Sequence, residues 1–200
     1  ILHYVENNKL LAGQSLVLID AGCEVAGYAS DITRTFPVCG RFSPEQREVY
    51  EIVLAAQQAA IAVVHPGASF SDYHQAALRV LSQGLIDLKL LTGSVDGAVE
   101  SEAYKPWYMH RTGHWLGLDV HDAGDYKTGT ADDDWVKLAA GMTLTVEPGL
   151  YLRPGSAVPE HLHGIGVRIE DDVLVTSDGC LVYTNAPRTV AEIEEVMRHE

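Results

Sequence analysis

The chain has 200 residues, a hydrophobic fraction of 46%, and 28 acidic against 14 basic side chains, for a formal charge of −14. This size suits one domain with a substantial core, and the charge argues against a nucleic-acid backbone as partner, because phosphates are repelled. No apolar run approaches the roughly 20 residues that span a bilayer, and Cys23, Cys39 and Cys180 are scattered and odd in number, as expected of reduced thiols in a cytoplasmic protein.

Ile1-Leu2-His3-Tyr4 reads as a strand entered partway, so a preceding segment is expected. Leu16 to Val25 and Ser30 to Phe36 read as two strands around a turn at Ala26-Gly27. Residues 43 to 64 read as a helix: Ser43 is the N-cap, Pro44 takes the first position and Gln46 completes a capping box. Val49, Ile52, Val53, Ala56, Ala60 and Val63 then recur at helical spacing until His65-Pro66-Gly67 stops the run. A second helix runs from Ser71 to about Leu88. Residues 92 to 113 are mixed and loop-like, and Leu116 to Val120 is a candidate short strand. Asp132-Asp133-Asp134 reads as a solvated loop or helix start, since three adjacent acids point in alternating directions and rarely converge on one ion. Strands follow at Met142 to Glu147, Gly149 to Leu152, Gly166 to Glu170 and Val173 to Thr176. Thr189 caps a last helix with Ile193, Val196 and Met197 on its apolar side.

A weak internal repeat runs through this pattern. Leu18-Ile19-Asp20-Ala21-Gly22 resembles Thr145-Val146-Glu147-Pro148-Gly149, and each is followed by a second acid-bearing strand and later by a helix. The expectation is an α+β fold of two related halves, each supplying a pair of carboxylates. Folding the first two strands at residues 25 and 26 places Asp20 opposite Asp31; folding the later pair at 158 and 159 places Glu147 opposite Glu170. Opposed residues on antiparallel strands have Cβ atoms about 4.5–5.5 Å apart, and two like charges that close call for a proton or a cation between them. Each acid lies on an otherwise apolar strand, so burial is expected, and a buried carboxylate needs a partner. Arg34 and Arg168 are the nearby salt-bridge candidates, and one arginine cannot serve four acids.

Four carboxylates and one imidazole, Asp20, Asp31, Glu147, Glu170 and His114, form the ligand set of a two-metal hydrolytic centre. Oxygen-rich coordination suits Mn²⁺, Co²⁺ or Fe²⁺ better than structural zinc, and part of the acidic excess is then neutralised by the ions. His110, His114 and His121 fall within twelve residues. Those that do not ligate are placed to hydrogen-bond a substrate carbonyl or the developing oxyanion, with His3 a further member of the group. His65, His74, His161, His163 and His199 read as structural or surface residues.

The stretches Ile1 to Tyr4, Leu18 to Gly22 with Ser30 to Thr35, His114-Trp115-Leu116-Gly117-Leu118-Asp119-Val120-His121-Asp122, Thr145 to Gly149 and Gly164 to Asp171 together resemble the catalytic domain of Xaa-Pro aminopeptidases. This is the pita-bread metallopeptidase family M24, which also holds prolidase and methionine aminopeptidase. The resemblance covers nearly all 200 residues in order. It implies a pita-bread fold of two pseudo-symmetric halves with antiparallel sheet and flanking helices, and two divalent metal ions, usually Mn²⁺. By the resemblance Asp20 binds one ion, His114 and Glu147 the other, and Asp31 and Glu170 bridge both, with a hydroxide between the ions as nucleophile. Glu147 also relays the proton to the leaving amine, and His121 helps stabilise the tetrahedral intermediate. His3, His110 and His121 line the substrate side, and Arg168 supports the carboxylates. The implied substrates are peptides with proline in the second position. A separate N-terminal domain and the opening helix and strand of the family's catalytic domain are not seen before Ile1, so residues 1 to 200 read as a truncated catalytic domain, from a full-length protein expected to form a homo-oligomer. Prolidase, which cleaves only Xaa-Pro dipeptides, is the closest alternative; the 23-residue interval from Glu147 to Glu170 and Trp115 after the ligand histidine favour the aminopeptidase. A non-catalytic binding module on the same fold is disfavoured because all five ligands are present.

Overall fold

The computed structural model describes residues 3–131, 134–155 and 157–198. Ile1, Leu2, Asp132, Asp133, Ser156, His199 and Glu200 lie outside the described residues. The expected opening strand is not formed at His3 and Tyr4; the first strand, β1 (Leu16–Ala21), starts later.

β1 pairs antiparallel with β4 (Ile32–Pro37), and the short strands β2 (Glu24–Val25) and β3 (Tyr28–Ala29) continue the hairpin to its tip. Ala26 and Gly27 both adopt left-handed backbone, with φ of 53° and 86°, as the turn of a tight right-twisted hairpin requires. Glycine takes this conformation freely; for Ala26 it costs roughly 1 kcal/mol, which the hairpin around it offsets. The turn is centred between Ala26 and Gly27, half a pleat later than the sequence pattern suggests. Asp20 therefore stands opposite Thr33 rather than Asp31. The displacement is an even number of residues, so Asp20 and Asp31 still share a face.

α1 (Pro44–Ala62) begins with the expected capping box, the Ser43 hydroxyl accepting from the Gln46 N–H and the Gln46 side chain accepting from the Ser43 N–H. Its buried face carries Val49, Val53, Ala56 and Ala60. α2 (Asp72–Asp87) packs along α1, with Ala77, Leu78, Leu81 and Leu85 buried. Residues 92 to 113 are not all loop: α3 (Val95–Glu100) forms one capped turn and a half, the Ser94 hydroxyl accepting from the Gly97 N–H. A helix this short, with a glycine inside it, leaves no periodicity to read.

β5 (Thr143–Val146) pairs with β8 (Asp171–Val175), which also pairs with β9 (Cys180–Val182), a strand the sequence pattern did not reveal. β6 (Gly149–Leu152) pairs with β7 (Ile165–Arg168). The two ladders share one register, Val146 facing Asp171 on one side and Gly149 facing Arg168 on the other. The interruption between them thus holds Glu147 and Glu170 opposite each other, as expected. The chain closes with α4 (Val190–Val196), whose Thr189 cap is reciprocated by Glu192; Ile193 is buried, but Val196 is exposed.

Leu116 to Val120 forms no strand. The extended segment lies earlier. Glu147 N–H donates to Thr112 O, Thr145 N–H to His114 O, and Leu116 N–H to Thr143 O, so residues 112–116 run antiparallel beside β5. Gly113 makes this approach possible: a Cβ there would lie 1.9 Å from the Thr145 carbonyl oxygen. Side chains of α1, α2, β5 and the β6–β7 hairpin, including Tyr50, Tyr73, Leu81, Leu144, Leu150 and Val167, make one continuous core beneath the two hairpins. Among the described residues no helix is long and apolar enough to cross a membrane.

Candidate metal centre

The two hairpins and the 112–116 segment bring the five predicted side chains to one place. Asp31, just before β4, is 8% exposed and Glu170, just after β7, is 1% exposed. One ligand atom each from Asp31, His114 and Glu170 all lie within 4.8 Å of one another. His114 Nε2 is 3.4 Å from Asp31 Oδ2 and 3.7 Å from Glu147 Oε1. Asp20 differs from expectation: its side chain is 40% exposed rather than buried, in the second half of β1, where the strand passes from half-buried to exposed residues on both faces.

Backbone and hydroxyl groups aim these donors. His114 donates from Nδ1 to the Trp115 carbonyl at 2.9 Å, which leaves Nε2 to face the carboxylates. The Asp31 N–H donates to Asp172 Oδ2 at 3.1 Å, and the Thr33 hydroxyl donates to Glu170 Oε2 at 2.6 Å. Arg168, buried, fans out three ways: Nη2 to Asp20 Oδ2 at 2.6 Å, Nη1 to the Tyr151 hydroxyl at 3.1 Å, and Nε to Thr33 Oγ1 at 3.2 Å. The other candidate, Arg34, pairs with the Asp171 carboxylate at 2.7 Å and reaches Glu170 at its main-chain carbonyl, Nη1 donating at 2.7 Å. One guanidinium against four converging carboxylates leaves an excess of negative charge.

The titration behaviour follows. Burial pushes the Glu147 carboxyl up to about 7, against the pull of His114 and Arg168. Glu170 is pushed well above the carboxylate range by burial and by Glu147 and Asp31. Asp20 is raised by burial and by Asp31, more than Arg168 lowers it. Asp31 is lowered: burial opposes ionisation, but bonds to His114 and Asp20 outweigh it. His114 is raised although burial opposes its charge, through Asp31 and the Trp115 carbonyl and the charge of Glu147. Acids held protonated by one another are what a divalent cation relieves. The donor set, four carboxylates and a bare imidazole nitrogen around a tight core of three, fits divalent ions with oxygen preference.

The predicted substrate-side histidines line one flank. His121 stacks edge-on against His114 with ring centroids 4.1 Å apart, and His3 follows at 6.2 Å from His121. His110 sits 3.8 Å from Glu147 Oε2. Both its nitrogens are engaged, Nδ1 with the Arg111 carbonyl and Nε2 with the Tyr151 hydroxyl, and burial lowers it to about 4. Sequence reasoning missed Thr33, Tyr151 and Asp172. Strand alternation places Thr33 on the Asp31 face, which was the available signal; Tyr151 and Asp172 gave none.

A model of metallopeptidase family M24 matches residues 1–177. Among curated proteins, the Xaa-Pro aminopeptidase of Haemophilus influenzae is 52% identical over 198 residues, covering 98% of this chain and 45% of that protein. Xaa-Pro aminopeptidase 1 of Streptomyces coelicolor is 44% identical, covering 98% and 40%. Among solved structures, the aminopeptidase PepP of Pseudomonas aeruginosa superposes with a TM-score of 0.94 at 54% identity, covering 98% of this chain and 44% of that one. The chain spans under half the length of the curated relatives it matches. The α+β architecture described above is the pita-bread fold, and the chain belongs to metallopeptidase family M24.

Proposed function

We propose that these 200 residues form the catalytic unit of a metal-dependent Xaa-Pro aminopeptidase, which releases an N-terminal residue from peptides with proline in second position. The observation that carries the reading is the convergence of Asp31, His114 and Glu170 within 4.8 Å, with Glu147 beside His114 and Asp20 held by Arg168. Relatives named Xaa-Pro aminopeptidase at 44–52% identity support the substrate class.

In this reading Asp20 would help to hold one ion and His114 with Glu147 the other, with Asp31 and Glu170 completing the carboxylate set around the pair. Two divalent ions, when bound, supply a hydroxide nucleophile at neutral pH and polarise the scissile carbonyl; the oxygen-rich donor set favours manganese. The Trp115 carbonyl keeps the His114 proton on Nδ1. Glu147, buried beside His114, takes a proton on a carboxylate oxygen and returns it to the leaving amine. Arg168 keeps Asp20 in line while Tyr151 and Thr33 lock the guanidinium. His121 and His3 line the substrate side next to His114, with His110 held beside Glu147 by the Arg111 carbonyl and the Tyr151 hydroxyl. The free thiols of Cys23, Cys39 and Cys180 support a cytoplasmic location, and the full-length protein is read as a homo-oligomer from its resemblance to the family.

The test is turnover by the full-length protein after chelator treatment and after Mn²⁺ return, on an Xaa-Pro tripeptide and an Xaa-Pro dipeptide. Loss with chelator, recovery with Mn²⁺ and preference for the tripeptide are expected. Full turnover by the metal-stripped protein would sink the reading, and cleavage of the dipeptide alone would turn it to prolidase.

A further inference from the structure

The segment that carries His110 and His114 is held from behind by a polar cluster that the roles above leave unused. Thr112 is completely buried. Its hydroxyl lies 2.8 Å from His74 Nδ1 on α2 and 2.7 Å from the Tyr108 hydroxyl. Its carbonyl accepts the Glu147 N–H at 2.7 Å. Tyr108 is itself fully buried, and its ring meets His110 edge-on at 4.8 Å. One residue thus joins α2, whose position is set by packing on α1, to the backbone beneath two of the five converging side chains.

The proton order in the cluster follows from burial. Among the described residues, Thr112 is the hydrogen-bond partner of the Tyr108 hydroxyl. A buried hydroxyl proton without an acceptor is costly, so Tyr108 donates to Thr112. The Thr112 proton then goes to His74 Nδ1, and His74 keeps its own proton on Nε2. The reverse order would strand the Tyr108 proton. His74 must be neutral to accept, and burial, with Arg111 and His110 nearby, lowers it to about 3. The histidine that reads from sequence as a structural helix residue is therefore a fixed acceptor aimed at the metal centre's supporting backbone.

We propose that His74 is a positioning residue of the metal centre: through the Thr112 hydroxyl it fixes the backbone from which His114 and Glu147 reach the metal ions. The proposal rests on the metal-centre reading above. A mere core-filling role for His74 would need only its volume; the positioning role needs its acceptor nitrogen.

The experiment titrates Co²⁺ into chelator-stripped full-length protein by calorimetry and records the cobalt d–d absorption, for the unaltered protein, His74→Leu, His74→Asn, Thr112→Val and Tyr108→Phe. Thermal melts of the same samples report folding separately. Loss of an oriented supporting hydrogen bond at a metal site weakens binding about 10- to 100-fold, so His74→Leu and Thr112→Val are expected to lose that much Co²⁺ affinity and to change the d–d spectrum. His74→Asn, whose Oδ1 stands in for Nδ1, is expected to recover most of the affinity; Tyr108→Phe, which removes only the outer donor, is expected to lose less. Variants that melt lower but bind Co²⁺ with unaltered affinity and spectrum overturn the proposal, as does His74→Asn binding no better than His74→Leu. Failure of the unaltered protein to bind Co²⁺ overturns the metal-centre reading itself, and is told apart by that sample alone. Should His74→Leu fail to fold, the isosteric Thr112→Val carries the same comparison.

Discussion

Gly113→Ala puts the placement of His114 to a direct test. A Cβ at position 113 would stand 1.9 Å from the Thr145 carbonyl oxygen, where ordinary contact begins at about 3.4 Å, and 3.1 Å from the Tyr73 hydroxyl. The 112–116 segment and β5 must therefore part by about 1.5 Å. Both neighbouring bonds, Thr145 N–H to His114 O at 3.0 Å and Glu147 N–H to Thr112 O at 2.7 Å, stretch beyond use. Two lost hydrogen bonds at about 1 kcal/mol each, with about 1–3 kcal/mol of overpacking strain, give about 3–5 kcal/mol. In a chain of this size that lowers the melting temperature by roughly 6–20 °C. Urea denaturation measures the free energy, and Co²⁺ calorimetry on the folded protein measures the site. Affinity is expected to fall at least about tenfold, because His114 and Glu147 move apart. Gly13→Ala, with open space around its Cβ, is the control and is expected to shift stability by less than about 0.5 kcal/mol. A Gly113→Ala protein within about 1 kcal/mol of the parent, with unaltered metal affinity, would refute the claim that this close backbone approach sets the site.

Thr33→Val removes the hydroxyl between Glu170 and Arg168 at nearly constant volume; metal affinity is expected to fall about 10- to 100-fold, read by calorimetry, and an affinity within threefold of the parent would deny Thr33 that role. The metal-stripped protein is expected to lose stability as pH rises. Glu147 titrates near 7 in the fold against 4.5 otherwise, so its contribution is full below 4.5 and is lost as pH climbs through about 7. Urea midpoints at a series of pH values, stripped and Mn²⁺-loaded, check this: the stripped midpoint should drop across that window and the loaded one should not, with proton release on metal binding at pH 6. A stripped midpoint that rises across the window would contradict the assignment. Arg34→Met leaves the fully buried Asp171 with Arg188 and Gln57 alone and is expected to destabilise by about 3 kcal/mol; because Arg34 Nη1 also holds the Glu170 main-chain carbonyl at 2.7 Å, metal affinity is expected to fall as well, though less than in Thr33→Val, and urea denaturation with calorimetry separates the two.

Much of the centre is legible before any coordinates. Asp20, Glu147 and Glu170 show as acids closing largely apolar strands and Asp31 as an acid opening one, and the Glu147–Glu170 pairing follows from a midpoint because that hairpin carries no slip. α1 is legible because its capping box is local chemistry. What escaped is non-local or rests on one residue's backbone. The Asp20 register depends on Ala26 taking a left-handed conformation that an alanine does not advertise. The 112–116 pairing joins segments thirty residues apart, and Gly113, its enabling residue, reads as a strand breaker. Asp20 was expected to be buried on the pattern of its apolar neighbours, but Ile19 beside it is exposed as well. Thr33, Thr112 and His74 are ordinary polar residues whose significance lies in what the fold sets against their hydroxyl or ring.

The common register of the two ladders in the second hairpin bears on which length changes this chain tolerates. Residues 153–164 connect β6 to β7 outside both ladders; Val158 and Leu162 anchor the later part in the core, but Arg153, Pro154 and Gly155 are exposed, so additions at 153–155 lengthen a surface excursion without moving either glutamate. A single residue added or removed between 143 and 152, or between 165 and 175, has the opposite effect. It turns every side chain beyond the change to the opposite face of the sheet, so that one glutamate faces the core while the other still faces its partners. Natural length variation is therefore expected in the connection and absent from the ladders. The same asymmetry marks the connection as the place to graft a tag or probe without disturbing the centre.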